Sequence, residues 1–211
     1  MTDDSIWLHT ADGLSLEAEV RLPEGATASV VLAHPHPLHG GSMRSVVTSE
    51  LFRLLPSAGL AALRFNFRGV ERSEGTHGGG VDEALDLVAA IDALDAIGAP
   101  SPYVITGWSF GGDVSLSVID GRVDGWTPIA PPLRVLPPDA LLAAHDPRPK
   151  YLIVPERDQF RPPAAAAEAT KDWVNTTIEV VAGADHFLLG RTDVVASLVI
   201  EHVRHVTRDP R

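Results

Sequence analysis

A short glycine-rich motif at residues 107–111, Gly-Trp-Ser-Phe-Gly, stands between an apolar run and a helix-like segment. Residues 102–106 before it are rich in β-branched and aromatic side chains, and residues 113–120 after it follow a helical pattern. A serine on a tight turn between a strand and a helix forms a nucleophile elbow, whose strained backbone exposes the hydroxyl. Glycines are needed on both sides because the strand and the helix pass too closely for a Cβ. The motif therefore predicts that Ser109 is a nucleophile.

The rest of the chain alternates strand-like and helix-like segments. Strand-like segments at 5–10 and 14–22 lie on either side of a glycine-containing turn, and apolar and polar residues alternate along 14–22, which predicts an antiparallel hairpin. Later apolar runs are continuous, which is typical of parallel strands buried on both faces. They predict strands near 30–33, 61–65, 102–106, 125–130, 151–154 and 177–181, and helices near 44–56, 81–97, 113–120, 163–173 and 191–207.

This order predicts one α/β domain over residues 1–211. Strands that alternate with helices form a mainly parallel, twisted sheet with helices on both faces, here with the antiparallel hairpin at its N-terminal end. The proline-rich segment 131–149 is predicted to be a loop with one helical turn, too short to form a large lid. Little or no lid is therefore expected over the carboxyl ends of the strands.

Partners for the serine are expected at those carboxyl ends, where catalytic groups gather in such sheets. Asp158 follows the predicted strand at 151–154, and His186 follows the one at 177–181. The chain order Ser109, Asp158, His186 is the serine–acid–histidine order of the α/β-hydrolases. We predict that His186 takes the hydroxyl proton and returns it to the leaving group, while Asp158 holds the imidazole tautomer.

Two other carboxylates compete with Asp158 for the role of the acid. Glu156 also lies past the strand, and Asp185 is adjacent to the histidine. A residue next to the histidine on a tight loop usually points elsewhere, so Asp158 is preferred and Glu156 is kept as the alternative.

Acyl transfer also requires hydrogen-bond donors for the developing oxyanion. One is predicted to be the backbone N–H of Phe110, the residue after the nucleophile. The second should come from the loop after the third strand. Because Pro35 and Pro37 in that loop have no N–H, the usable donors are His36 and, further out, Leu38. His36 is preferred because its N–H lies closer to the strand end.

Several remaining side chains have two interpretations. His34, His36 and His39 have a spacing that could suit a metal ion, yet the interleaved prolines and following glycines fit a rigid oxyanion loop better. We therefore predict no metal site. His202, on the last helix, is predicted to be a surface residue.

Two arginines and one tryptophan each have two possible roles. Arg64 and Arg68 flank the end of a buried strand and could bind an anionic substrate, but a structural ion pair is favoured. Trp108 is predicted to pack in the core. The alternative is that it forms one wall of the pocket.

Composition limits the partners of this chain. The net charge of −11 and the lack of a basic cluster argue against a nucleic-acid surface and against anionic membranes. No run approaches the ~18 apolar residues of a membrane span, and the acidic N-terminus does not have the pattern of a signal peptide. The chain has no cysteine, which excludes disulfides and a thiol nucleophile. A cytoplasmic protein is predicted.

Five ordered blocks of sequence together resemble the short bacterial α/β-hydrolases, near the dienelactone-hydrolase-like branch. They lie at 34–43, 64–69, 73–75, 107–112 and 183–187. The resemblance implies a serine hydrolase fold with little or no cap, an ester or similar acyl substrate, and Ser109, Asp158 and His186 as the triad. Two departures stand out. The dienelactone hydrolases use a cysteine nucleophile, which this chain does not have, and Glu71 stands where this group often has glycine.

The residues and the resemblance together predict a serine carboxylesterase that acts on a small soluble ester without a cofactor. The alternatives are an amidase or peptidase with the same triad, a non-catalytic binding protein on this fold, and a metal-dependent hydrolase. A monomer and a homodimer both remain open. Substrate choice is expected to depend on loops 38–42, 70–80 and 131–149.

Overall fold

The computed structural model describes residues 4–208, and all the strands described there belong to one eight-stranded sheet. The strands are β1 (Asp4–His9), β2 (Ser15–Arg21), β3 (Ser29–Ala33), β4 (Ala61–Phe65), β5 (Tyr103–Trp108), β6 (Val123–Ile129), β7 (Lys150–Pro155) and β8 (Thr176–Val181). Their order across the sheet is β1-β2-β4-β3-β5-β6-β7-β8. Strand β5, which leads to the serine motif, therefore lies among the central strands of the sheet.

The predicted mixture of strand directions is confirmed. Strands β1 and β2 are antiparallel, as are β2 and β4, and every other pair is parallel. In β2, Leu16, Ala18 and Val20 are buried, and the residues between them are partly exposed. The alternating sequence therefore faces the core on one side only, as expected for the hairpin.

Helices cover both faces of the sheet. They are α1 (Val46–Leu54), α2 (Glu83–Ala96), α3 (Phe110–Ser117), α4 (Pro163–Ala169) and α5 (Thr192–Arg208). Buried residues of α2, α3 and α4 join one hydrophobic cluster, and those of α1 and α5 join the other. Strand β3 separates the two clusters, because Val31 belongs to the first and Val30 to the second. Within residues 4–208, no helix is both long and apolar enough to cross a bilayer.

Helices α3 and α4 differ most from the sequence prediction. Helix α3 spans residues 110–117 rather than 113–120, so Gly111 and Gly112 lie inside the helix despite their low helix propensity, while Gly107 lies in β5. Helix α4 ends at Ala169 rather than near residue 173, and the hydroxyl of Thr170 donates to the carbonyl of Ala166 at this end.

His202 on α5 was predicted to lie at the surface, and this prediction was wrong. The side chain is buried beneath the helix, where its Nδ1 lies 2.7 Å from the hydroxyl oxygen of Thr127 on β6. Its ring stacks on Tyr151 of β7, with centroids 5.0 Å apart. Burial lowers the pKa of His202 to about 4, so the ring is neutral at pH 7.

The expectation of little or no lid is confirmed. The connection between β6 and β7 contains two single 3₁₀ turns, at Pro138–Ala140 and Leu142–His145, instead of the one helical turn that was predicted. Because the parallel strands share one direction, the carboxyl ends of β3, β5, β7 and β8 meet at one edge of the sheet. The candidate site lies at that edge.

Candidate active site

Ser109 forms the predicted turn between β5 and α3. Its backbone has φ 54° and ψ −115°, in the left-handed half of conformational space that a non-glycine residue rarely occupies. A Cβ on Gly107 would collide with the backbone carbonyl of Gly111, and a Cβ on Gly111 would lie 2.6 Å from the carbonyl oxygen of Ala33 at the end of β3. The two glycines therefore allow the strand, the helix and the neighbouring β3 to approach closely around a half-buried serine.

Ser109, His186 and Asp158 form one continuous hydrogen-bonded chain. The Oγ of Ser109 lies 2.9 Å from Nε2 of His186, and Nδ1 of the same ring lies 2.8 Å from Oδ2 of Asp158. A buried carboxylate accepts hydrogen bonds, so Nδ1 carries the proton and Nε2 accepts the serine hydroxyl. This arrangement can take a proton from the serine as its oxygen attacks an electrophile.

The two competing carboxylates bind backbone N–H groups instead of the histidine ring. Glu156 accepts the N–H of Gly183 at 2.7 Å, and Asp185 accepts the N–H of Phe187 at 3.0 Å. Both side chains lie on the exposed side of the loops that carry the site. Asp158 is the carboxylate that the structure brings to His186.

The two residues predicted to donate to the oxyanion, His36 and Phe110, line the same cavity as Ser109. Phe110 occupies the first turn of α3, where helix N–H groups have no partner within the helix. Neither its N–H nor that of His36 donates a hydrogen bond within residues 4–208. The N–H of Leu38, the alternative donor, is directed to Nδ1 of His36 at 3.2 Å. Of the three predicted donors, His36 and Phe110 are therefore the two whose N–H groups have no acceptor within residues 4–208.

The histidine-rich loop does not assemble a metal site from the spacing seen in the sequence. His34 is buried, with Nδ1 2.6 Å from the carbonyl oxygen of Pro35 and Nε2 3.0 Å from the N–H of Phe67. Both of its ring nitrogens are thus occupied, and burial lowers its pKa to about 4. Across residues 4–208, no cluster of three His, Asp or Glu side chains has a geometry that could hold a metal ion. His34 fastens the loop to the segment after β4.

A cavity of about 880 Å³ opens above Ser109. One wall carries His36, His39 and His77, and the rings of His36 and His77 both lie near Phe110. Burial and the two neighbouring histidines lower the pKa of His36. The other walls are mainly apolar and include Val46, Trp108, Pro132, Val135, Phe160 and Phe187. The cavity therefore suits a small molecule with both polar and apolar parts.

Trp108 has both of the roles considered from the sequence. The side chain is buried, and it also lines the cavity next to the serine. Its indole N–H donates to the backbone carbonyl of His186 at 3.3 Å. Trp108 therefore links the end of β5 to the loop that carries the histidine.

Asp113 and Arg161, which the sequence analysis did not single out, shape the wall formed by residues 132–135. The buried carboxylate of Asp113 accepts three backbone N–H groups at 2.8–2.9 Å, from Leu133, Arg134 and Val135. Burial raises the pKa of Asp113 against the opposing effect of these donors. The guanidinium of Arg161 donates to the carbonyls of Pro132 and Leu133. The sequence did contain a signal for Asp113, because an aspartate in an otherwise apolar helix directly after the predicted nucleophile is unusual.

Arg64 and Arg68 form ion pairs rather than an anion-binding site. The guanidinium of Arg64 donates to Glu19 on β2 at 2.9 Å. Arg68 is buried and pairs with both Asp86 and Asp12, each at 2.9 Å from one of its nitrogens. Neither side chain lines the cavity above the serine.

Glu71 stands where the similar hydrolases often have glycine, and its backbone keeps a conformation that glycine favours. Its φ is 49°, a left-handed conformation that normally favours glycine. Its carboxylate accepts a hydrogen bond from the side-chain amide of Asn66 at 3.1 Å. This contact accompanies the unusual conformation of the loop.

Comparison with known proteins supports this architecture. No protein-family model matches the chain. An uncharacterized protein of Rickettsia prowazekii is 28% identical over 200 residues, covering 88% of this chain and 82% of the relative. Among solved structures, an α/β serine hydrolase homologue from Coxiella burnetii is 27% identical in sequence. The match covers 96% of this chain and 98% of the homologue, with a TM-score of 0.85.

A second solved structure resembles the fold equally well. It is a lidless α/β serine hydrolase from Xanthomonas campestris, 24% identical, with 100% of this chain and 98% of the other covered and a TM-score of 0.85. The chain therefore has the α/β-hydrolase fold without a lid. Its structural neighbours are serine hydrolases, which supports a hydrolase activity for this protein.

Proposed function

We propose that this protein is a serine hydrolase, specifically a carboxylesterase that acts on a small ester through an acyl-enzyme on Ser109. The observation that carries the proposal is the chain of two hydrogen bonds, 2.8 Å and 2.9 Å long, from Asp158 through His186 to Ser109. A serine hydroxyl is a weak nucleophile at neutral pH and requires such a base. Further support comes from the likeness to the Coxiella burnetii serine hydrolase homologue.

In the first half of the reaction, the oxygen of Ser109 attacks the ester carbonyl carbon while its proton moves to Nε2 of His186. The negative charge that develops on the carbonyl oxygen is stabilised by the backbone N–H groups of Phe110 and His36. Asp158 stabilises the imidazolium and keeps its orientation. The tetrahedral intermediate then breaks the bond to the alcohol oxygen, which leaves with the proton from His186.

In the second half, water takes the place of the alcohol. His186 removes a proton from that water, whose oxygen attacks the acyl carbon of the ester on Ser109. The same two N–H groups bind the second oxyanion, and breakdown returns the proton to the serine oxygen. The acid product leaves, and the hydrogen-bonded chain is restored. All steps use groups of this chain and water, so the proposal includes no cofactor.

The shape of the cavity supports a small substrate. Because no lid covers the cavity, a soluble molecule can enter directly, and the activation at a lipid surface that lidded lipases show is not expected. The five blocks of sequence shared with the dienelactone-hydrolase-like branch support a position near that branch, with serine in place of cysteine.

Rapid-quench or stopped-flow hydrolysis of p-nitrophenyl acetate tests this proposal. An acyl-enzyme mechanism predicts a burst of p-nitrophenol close to one equivalent when deacylation is slower than acylation, and loss of both burst and turnover in Ser109→Ala. An anilide with the same acyl group, measured in parallel, compares amide with ester cleavage. Turnover that survives in Ser109→Ala would contradict the proposal.

A further inference from the structure

Two exposed phenylalanines pack against the ring of the candidate catalytic histidine. The ring centroid of Phe160 lies 4.5 Å from that of His186, and the centroid of Phe187 lies 5.8 Å from it. Both rings meet the imidazole edge to face, at interplanar angles of 67° and 89°. Both also line the cavity above Ser109. The part of the cavity next to His186 is therefore lined by aromatic side chains.

The two rings contribute little to the hydrophobic core. Phe160 is 40% exposed and Phe187 is 48% exposed, so both are largely outside the core. The backbone of each residue holds its own loop, because the N–H of Phe160 binds Asp158 and that of Phe187 binds Asp185. Any residue other than proline supplies such an N–H. The guanidinium of Arg134 also lies over the ring of Phe160, 5.4 Å from its centroid. Exposed aromatic surface beside a reactive group is therefore available for a ligand.

The chemistry of the proposed reaction decides which part of a substrate meets these rings. His186 must take the proton from Ser109 and then give it to the leaving oxygen, so that oxygen must come within about 3 Å of Nε2. The carbonyl oxygen instead points to the N–H groups of Phe110 and His36. The group attached to the leaving oxygen therefore lies on the side of His186, next to Phe160 and Phe187.

From this geometry we propose that the preferred substrates are esters of flat, apolar alcohols, whose aromatic group binds against Phe160 and Phe187. The inference rests on the proposed esterase function and names the substrate class of the same site. Aromatic rings favour offset or edge-to-face contacts with one another, and the exposed surfaces of Phe160 and Phe187 can offer such contacts to a third ring.

Two isomeric esters separate the alcohol side from the acyl side. Benzyl acetate carries its ring on the alcohol, and methyl phenylacetate carries it on the acyl group, with the same atoms overall. The measured quantity is the ratio of kcat/KM for benzyl acetate to that for methyl phenylacetate, because kcat/KM reports the acylation step. Comparing this ratio between variants removes any difference in intrinsic reactivity and any general effect on His186.

Loss of either ring is expected to lower this ratio about tenfold, in Phe160→Ala and in Phe187→Ala, which is the size of a moderate apolar contact in a binding pocket. Leu189→Ala is the matched control, because Leu189 lies on the loop of Phe187 and is 70% exposed but does not line the cavity. The control is expected to keep the wild-type ratio.

The outcomes distinguish this inference from the function on which it rests. Cleavage of both esters with an unchanged ratio in the two phenylalanine variants would overturn the alcohol assignment and leave the esterase function intact. A ratio that rises, because methyl phenylacetate suffers more, would place the aromatic group on the acyl side and also overturn it. A wild-type protein that cleaves neither ester would contradict both the substrate class and the esterase function.

Discussion

The carboxylate of Asp158 holds the ring of His186 through one oxygen and its own loop through the other. Oδ2 lies 2.8 Å from Nδ1 of His186, and Oδ1 accepts the backbone N–H groups of Phe160 and Arg161 at 2.7 Å and 3.1 Å. The carboxylate is thereby fixed in a buried position. Its orientation leaves Nε2 of the imidazole directed at Ser109, which is the geometry that proton transfer requires.

Replacement of this carboxylate by an amide tests its role. In Asp158→Asn the amide can donate to Nδ1, which favours the tautomer that carries its proton on Nε2 and cannot accept the serine proton. We expect kcat to fall on the order of 10³–10⁴-fold. Steady-state hydrolysis of p-nitrophenyl acetate measures the loss.

Glu156→Gln and Asp185→Asn are the matched controls for that experiment. Both carboxylates accept a backbone N–H on an exposed loop and do not reach the histidine ring. Their amide variants keep an oxygen that can accept the same N–H, so kcat is expected to change only a few-fold. A larger loss in either control than in Asp158→Asn would give the acid role to that residue.

The backbone donor of His36 can be removed by a proline. His36 has φ −53°, which a proline ring adopts without strain. His36→Pro therefore deletes the N–H, while His36→Ala deletes the side chain and keeps the N–H. We expect kcat to fall by 10²–10³-fold in the proline variant, the usual loss for one oxyanion donor, and by much less in the alanine variant.

Equal losses in these two variants would contradict the assignment of the His36 N–H. The alanine variant also removes the acceptor of the Leu38 N–H, which frees the alternative donor. Circular dichroism and thermal melting of both proteins confirm that any difference in kcat arises in a folded enzyme.

Asp113 is predicted to connect stability with substrate binding. In Asp113→Asn, one oxygen is replaced by an NH₂ group that faces backbone N–H donors, so at least one of the three loses its acceptor. We expect the free energy of unfolding to fall by about 1–3 kcal/mol, and KM to rise because Arg134 and Val135, whose N–H groups this carboxylate binds, line the cavity. Urea denaturation and steady-state kinetics measure the two effects.

Asp139→Asn is the control for this prediction, since Asp139 is exposed on the same connection. It is expected to leave both quantities near the wild-type values. A wild-type KM and a wild-type stability in Asp113→Asn would contradict the view that this carboxylate holds the wall of the cavity.

Local sequence patterns predicted the fold and the three residues that hydrogen bonds join at the candidate site, but not the side chains around them. The turn at Ser109 could be predicted because it depends on adjacent residues, including two glycines whose Cβ atoms have no room. The hydrogen bonds of Asp113 join residues about 20 positions apart, and the contact of Thr127 with His202 spans 75 positions. Such pairs are fixed by the packing of the whole chain. The burial of His202 was missed for this reason.

His202 is predicted to make the stability depend on pH. In the unfolded chain this residue titrates near 6.5, and burial in the folded protein lowers its pKa to about 4. Between these pH values the unfolded chain binds more protons, so the free energy of unfolding falls as the pH falls from 6.5 towards 4. The full shift corresponds to about 3 kcal/mol.

The variant His202→Phe keeps a flat ring next to Tyr151 and removes the titrating group. The difference in unfolding free energy between wild type and variant, measured in urea from pH 7.5 to 4.5, cancels the contributions of the other titrating groups. The wild type is expected to lose stability relative to the variant as the pH falls. A difference that stays constant over this range would contradict the prediction.

Labelling with a fluorophosphonate tests the central claim most directly, because the reagent reacts with a serine that a neighbouring base has activated. Wild-type protein and Ser109→Ala are treated in parallel, and the adduct is located by mass spectrometry of peptides. We predict one equivalent of adduct on Ser109 in the wild type and none in the variant. A folded wild-type protein that remains unlabelled, or an adduct on a different residue that persists in Ser109→Ala, would contradict the account.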